Sequence, residues 1–427
     1  MVIQFSVGNY KSFREIQTIN FRATGLRSED KCVDEDNIIE DQGARALRML
    51  GVYGPNASGK SNLIKALGAF KQMVSFSQES ENAAKTAFSP FRLSTRPPDH
   101  YGYFQIVLIL HGRRFRYGYT LDGNANILSE WLFGPADKNE TYYFTRKGNE
   151  IALNEDRFKE GVLLPYMNNL RTNALFLTFC SSYDGEISGL IKDFIAERII
   201  IENDSRKNYL YLLGGPRELT DQLVKTGHKD IVLKWMAEAG LVFNDVSLQD
   251  IKVSEVVYGY SVFLSKNIYD DKGGVAKHVM VSMDSEESEG TKKFYSYIGG
   301  LYEVFEKGGL YVSDEMDSNF HPSLLMKIIR LFQDKKVNKA AAQLLFTSHD
   351  TNLMDPKVMR RDQFYFTEKS LTDETLIYAL SDLKGIRNNV DFARQYLAGY
   401  YGAIPQLGGY LQDPEHTQAS TDPNYCD

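Results

Sequence analysis

An α/β fold with a glycine-rich loop between a strand and a helix, joined to an antiparallel meander and a helical insertion, is what this 427-residue sequence predicts. Three observations predict it. Leu47-Arg48-Met49-Leu50-Gly51-Val52-Tyr53 is a compact apolar segment running into a glycine-rich turn, after which Ser61 to Ser75 places Leu63, Ile64, Leu67, Phe70 and Val74 at helical spacing. Residues 101–153 hold short aromatic and β-branched runs (Tyr103 to Leu110, Phe115 to Leu121, Ile127 to Phe133, Tyr142 to Arg146). His111-Gly112-Arg113, Asp122-Gly123-Asn124 and Gly134-Pro135 punctuate them, as in a meander. Between 158 and 245, four stretches carry i, i+3, i+4 apolar spacing and read as helices: Asn173 to Phe179, Ile187 to Ile201, Thr220 to Gly227 and Asp230 to Gly240.

The remaining elements follow in order. Ile3 to Val7 alternates like a strand and Gly8-Asn9 turns it. Residues 28–43 are polar and acidic and read as a surface loop. Strands return between Val246 and Met283, such as Glu255 to Leu264 and His278 to Met283. A helix at about 291–307, the strand Leu310 to Val312, a helix at about 322–334 and the strand Gln343 to Phe346 come next. The chain therefore divides into 1–157 (glycine-rich loop and meander), 158–245 (helical insertion lobe), 246–412 (the second part of the α/β unit) and a loose polar tail, 413–427. No heptad pattern persists long enough for a coiled-coil arm, and no internal repeat is visible.

Composition narrows the function classes. An apolar fraction of 43% and a charged fraction of 25% exclude disorder across the whole chain. The longest aliphatic run, Ile106 to Leu110, is far short of the roughly 20 residues a bilayer requires, so no membrane span is expected. The opening Met1-Val2-Ile3-Gln4-Phe5 lacks a secretory pattern, and three scattered cysteines (Cys32, Cys180, Cys426) suit a reducing cytoplasm. A formal charge of −7 gives no support to a protein held on nucleic acid mainly by phosphate neutralisation.

Gly54-Pro55-Asn56-Ala57-Ser58-Gly59-Lys60-Ser61 fits the phosphate-loop pattern G-x-x-x-x-G-K-[ST]. At average composition that pattern arises about 0.02 times by chance in a chain this long. Its glycines let successive N–H groups turn toward phosphates. Lys60 reaches the β- and γ-phosphates, Ser61 ligates Mg²⁺, and the following helix, through Asn62, presents its positive end. Farther along, Gly308-Gly309-Leu310-Tyr311-Val312-Ser313-Asp314-Glu315 is an apolar strand ending in two acids, where ligands of open α/β sheets bind. Asp314 is expected in the Mg²⁺ shell and Glu315 to polarise the attacking water.

Several segments together resemble the ATP-binding-cassette ATPase heads of the RecF/SMC type. They are Val7-Gly8-Asn9-Tyr10-Lys11-Ser12-Phe13, the phosphate loop with Asn56, Asp314-Glu315-Met316-Asp317-Ser318-Asn319-Phe320-His321-Pro322 and Leu345-Phe346-Thr347-Ser348-His349-Asp350. Within that superfamily the chain looks most like the bacterial abortive-infection ATPases of the RloA/AbiLi type, which share a C-terminal stretch like Asp391 to Pro405. The resemblance implies a phosphate-loop NTPase of ABC-ATPase head type that takes ATP and Mg²⁺ and forms a homodimer or higher oligomer around the nucleotide. Glu287-Ser288-Glu289-Gly290-Thr291-Lys292-Lys293 would be the signature, with Ser288 and Gly290 facing the partner's ATP, and His349 would sense the γ-phosphate. His321 is expected in packing or helix entry. The glutamine that such heads place between nucleotide and meander is not identifiable: Phe88-Ser89-Pro90-Phe91-Arg92 occupies its region, and Gln105 lies in a strand. The implied role is anti-phage defence, with a separate effector protein and a phage trigger as partners. A RecF-like DNA-binding ATPase of repair is the alternative. A nuclease of the overcoming-lysogenisation type is disfavoured, because only 78 residues follow His349.

Overall fold

The computed structural model describes residues 1–94, 101–136, 139–160, 170–202, 216–253, 256–388 and 390–405. The tail 413–427, Cys426 and Glu255 lie outside the described residues. Two sheets organise the chain. The first has six strands in the order Ile199–Glu202, Leu310–Ser313, Gln343–Thr347, Met49–Tyr53, Phe364–Lys369 and Thr375–Ala379, all parallel except the last. Its central strands are buried on both faces, so they read as continuous apolar runs rather than alternating ones. The second is antiparallel and seven-stranded: Glu150–Leu153, Glu140–Lys147, Ile127–Pro135, Arg113–Leu121, Gly102–Leu110, Val2–Gly8 and Gln17–Asn20. The expected meander is there, with the N-terminal strand added to its edge.

The helix Lys60–Phe76 lies between these sheets. Leu63, Ile64, Leu67, Phe70 and Val74 share one buried cluster with Phe5, Phe104, Tyr117 and Tyr119 of the antiparallel sheet and with Leu50 and Val52 of the parallel one. Phe70 stacks on Tyr119 with ring centroids 5.6 Å apart, and meets Phe5 edge-on. Because side chains alternate along a strand, Met49 and Tyr53 point the other way, into a second cluster. There the helices Glu289–Lys307 and Pro322–Gln333 cover the opposite face through Ile298, Leu301, Ile328 and Phe332. A separate three-stranded sheet (Asp245–Val253, Val256–Tyr269, Val275–Ser282) leads into the longer of those helices.

Two readings of the sequence are corrected. Residues 28–43 are not simply a loop: Asp30 accepts the Cys32 N–H and starts the helix Lys31–Asn37, and Ile38–Asp41 pairs with Ala44–Leu47. Val33, Ile38 and Ile39 are buried, an apolar content that the surrounding acids disguised. The helix read over Ile187 to Ile201 is Glu186–Glu197, and Ile199–Glu202 is the edge strand beside Leu310–Ser313. Three successive isoleucines fit a pleated buried strand better than a helix terminus. In the same segment, the helix Phe176–Ser181 is held to the meander by the buried Glu130, which accepts the Phe176 and Leu177 N–H groups at 2.7 and 2.9 Å.

Candidate functional site

The strand Met49–Tyr53 delivers the chain to Gly54 at the C-terminal edge of the parallel sheet, and the helix begins at Lys60. Gly54 has φ +151° and Gly59 φ +113°, conformations that side chains resist. Space demands glycine as well: a Cβ on Gly54 would sit 2.3 Å from the Thr367 carbonyl oxygen, and one on Gly59 2.2 Å from the Thr375 hydroxyl. Beneath the loop is a floor of hydroxyls. Ser58 Oγ lies 2.6 Å from Thr367 Oγ1, and the Thr375 hydroxyl donates to the Ser58 carbonyl at 2.8 Å. Ser12 Oγ accepts from Asn62 Nδ2 at 2.7 Å and lies 2.8 Å from Thr375 Oγ1. These bonds engage the loop from below. Asn56 and Ala57 are exposed at its crest, with Pro55, Ser61 and Asn62 half-buried beside them.

Lys60 is buried and its ammonium donates to the carbonyls of Gly54 (2.7 Å) and Pro55 (3.0 Å). Burial pushes this ammonium below the usual lysine range, while the carboxylates of Asp314, Glu315 and Asp317 act in the opposite direction. The sequence-distant acids thus stand at the same edge of the parallel sheet as the loop lysine. Asp314 follows the strand Leu310–Ser313 and its Oδ1 accepts the Thr347 hydroxyl at 2.7 Å. The same Thr347 Oγ1 accepts the Glu315 N–H at 2.7 Å, and the Thr347 carbonyl accepts the Met316 N–H at 2.9 Å. Glu315 is exposed and left-handed, with φ +46°. Asp317 Oδ2 accepts the His349 backbone N–H at 3.1 Å, so His349 is brought to this edge with its ring exposed.

Ser288 is the N-cap of the helix Glu289–Lys307: its Oγ accepts the Thr291 N–H at 3.1 Å and lies 2.9 Å from Thr291 Oγ1. The surrounding acids are engaged within the chain. Asp284 pairs with Arg217 at 2.7 Å, Glu286 accepts the Ser282 N–H at 2.8 Å, Glu287 pairs with Lys266 and Glu289 with Lys292. Gly290 abuts the loop after the carboxylate pair, where a Cβ would come within 2.7 Å of the Asn319 carbonyl oxygen. His321 is a helix-entry residue, its Nδ1 accepting the Ser323 N–H. Gln105 accepts from Trp131 Nε1 and Arg116 within the meander, and the 88–92 segment docks on the first turn through Lys11 N–H to Ser89 O and Phe91 N–H to Asn9 Oδ1.

Sequence reasoning missed Ser12, Thr347, Thr367, Thr375 and Lys293. Single hydroxyls and one lysine of a Lys-Lys pair carry no spacing signal; Ser12, Lys293 and Thr347 sat inside segments already singled out, but with no role assigned to them, whereas Thr367 and Thr375 lay outside any. The oxygen donors Ser61 and Asp314 fit Mg²⁺, which keeps several waters and is bound by one or two protein groups with substrate phosphates. Among the described residues no group of three or more His, Cys, Asp or Glu could hold a metal, and no helix is long and apolar enough to cross a membrane.

The family model described as "AAA domain, putative AbiEii toxin, Type IV TA system" matches residues 49–176 and 183–355. The DNA replication and repair protein RecF of Moorella thermoacetica is 30% identical over 133 residues, 30% of this chain and 32% of that protein. The chain thus spans about a third of the length of this curated relative. Among solved structures, the SMC head domain of Thermotoga maritima is similar at 14% identity, covering 88% of this chain and 98% of that one with a TM-score of 0.40. The Smc head domain of Pyrococcus yayanosii, with a coiled coil and joint, is similar at 10% identity, covering 94% and 99% with a TM-score of 0.42. The fold is the expected α/β one, the phosphate-loop sequence joining a strand of the parallel sheet to a helix beside an antiparallel sheet.

Proposed function

The chain belongs to the AAA-domain ATPase family just described, and from that premise we propose that it hydrolyses ATP with Mg²⁺ at a site completed by a second copy of itself. The observation that carries the proposal is the placing of Asp314 and Glu315, which follow the strand Leu310–Ser313, at the same edge of the parallel sheet as the loop that ends in Lys60. In this reading Lys60 and the loop N–H groups bind the β- and γ-phosphates, and the helix Lys60–Phe76 adds its positive end. Ser61 and Asp314 would hold the metal ion; bound Mg²⁺ supplies charge neutralisation at the phosphate oxygens. Thr347 fixes the Asp314 carboxylate, and Glu315 takes a proton from the attacking water. His349, tethered by Asp317, would contact the γ-phosphate. Ser288 caps its own helix by accepting from Thr291, which leaves its proton to donate across to a partner's ATP when Thr291 also supplies the hydroxyl bond.

At the level of biology we propose the sensor subunit of an anti-phage system of the abortive-infection type, cytoplasmic, acting on a separate effector and answering a phage trigger. The match to the AbiEii-described family supports this reading. The division at 157/158 and 245/246 belongs to the same proposal, with exposed residues of the 158–245 stretch and the exposed Tyr400 as a partner surface, although its helix Phe176–Ser181 and strand Ile199–Glu202 pack in the core. A RecF-like DNA-binding ATPase is a second reading, favoured by the 133-residue match to a protein of that name. Equilibrium binding of Mg-ATP and phosphate release, wild type against Lys60→Ala, test the core of the proposal. Binding and slow turnover that Lys60→Ala abolishes support it; a folded wild type with neither defeats it. Retention on duplex DNA at about 150 mM salt would favour the second reading, and its absence the first.

A further inference from the structure

We propose that Lys293 is a positioning residue for this hydrolysis, tying the helix that begins at Ser288 to the backbone of Glu315. The inference rests on Glu315 acting as the base. Glu315 adopts a left-handed conformation that costs a non-glycine residue on the order of 1–2 kcal/mol, so something must hold it there. Three groups do. Thr347 Oγ1 accepts its N–H, the Ser318 N–H donates to its carbonyl at 3.0 Å, and Lys293 Nζ donates to the same carbonyl at 2.8 Å from the neighbouring helix. The same ammonium donates to the Ser318 carbonyl at 2.9 Å and the Ser318 hydroxyl at 2.7 Å, with the Met316 carbonyl at 3.5 Å, so these acceptors all belong to one short loop. The ammonium also lies 5.0 Å from the ring centre of Phe320, at the far end of that loop.

Lys293 stands in the second turn of the helix Glu289–Lys307, and the first turn touches the same loop where Gly290 meets the Asn319 carbonyl. On its other side the loop is bonded to Thr347 and to the His349 N–H. The loop bearing Glu315 is therefore clamped between the helix capped by Ser288 and the strand that leads to His349. A displacement of the Ser288 end, such as closure on a partner's nucleotide would bring, is transmitted by Lys293 to the Glu315 carbonyl and so to the direction of its carboxylate. Each half-site would then become competent only when its own signature helix is seated.

Lys293→Met tests this, because the thioether side chain keeps the packing against Phe320 and removes all three donors. With a base misdirected by about an ångström, kcat should fall about 10²-fold while the ATP dissociation constant changes by less than about 2-fold. Lys293→Arg, which keeps charge and donors, should recover part of the loss. Backbone hydrogen exchange over residues 314–320 should quicken in Lys293→Met and stay near wild type in Lys293→Arg. An unchanged kcat in Lys293→Met beside an active wild type overturns the inference, as does a parallel loss of affinity and turnover, or unchanged exchange. A wild type that binds ATP without turnover defeats the hydrolase reading instead, and the exchange measurement then decides the tie by itself.

Discussion

Replacing Thr347 by valine removes one hydroxyl and almost no volume. Thr347 is fully buried at the end of the strand Gln343–Thr347, and its Oγ1 makes two bonds of 2.7 Å: it donates to Asp314 Oδ1 and accepts from the Glu315 N–H. A hydrogen bond to a charged group contributes about 1.5–3 kcal/mol and a donor left unpaired costs about 1–3 kcal/mol when water cannot reach it. Asp314 is half-buried and Glu315 exposed, so water recovers part of both, and the expected loss of stability is about 2 kcal/mol rather than the full sum. Thr347→Ser keeps the hydroxyl and loses one buried methyl, about 1 kcal/mol. Urea unfolding midpoints with matched slopes would measure the stability difference, and phosphate release at saturating Mg-ATP the functional one. Valine should lower turnover at least about 10-fold, since both the carboxylate proposed for the metal and the proposed base lose their anchor, whereas serine should stay near wild type. If valine equals serine in midpoint and in turnover, the bridging role of Thr347 is wrong.

Two further outcomes separate parts of the account. An equimolar mixture of Lys60→Ala and Ser288→Arg chains should recover ATPase activity that neither shows alone, because one intact composite site forms in the mixed dimer; no recovery with both proteins folded contradicts action of Ser288 across subunits. Asp221, buried against the helix Glu289–Lys307, is pushed up to about 6 by burial, with Asp284 and Glu218 adding and the Tyr295 hydroxyl and Arg217 opposing. Its folded-state value lies above the ordinary 3.8, so the folded protein holds the extra proton between those values. The contribution is complete below about pH 4 and is lost as pH rises through 6, worth up to about 3 kcal/mol. Asp221→Asn, which can still accept from Tyr295, should flatten that part of the urea-midpoint profile; an unaltered profile contradicts the assignment.

What was legible in the sequence was what is local. The phosphate loop and the strand ending in Asp314-Glu315 declare themselves because a tight turn, a lysine and a helix start must be contiguous, and a buried parallel strand must be an apolar run. The meander was legible from its turns. The floor under the loop was not: Ser12, Thr367 and Thr375 come from opposite ends of the chain, and a lone hydroxyl looks alike whether it faces water or a backbone carbonyl. Lys293 was hidden for the same reason, since its acceptors exist only once the loop 315–319 has folded against its helix. Acid-rich text misled over residues 28–43, where the exposed Asp30 caps a helix and Val33, Ile38 and Ile39 are buried among the acids. The acids on either side of Ser288 become intelligible only with their partners Arg217, Lys266 and Lys292 in view.

The central claim is that two copies close on ATP. The most direct measurement is the solution mass of Glu315→Gln by light scattering, with and without saturating Mg-ATP. The account predicts a shift from the 48.6 kDa chain to twice that mass on adding nucleotide, reversed when Lys60→Ala is combined with Glu315→Gln. A Glu315→Gln protein that binds ATP and keeps the mass it has without nucleotide would contradict it.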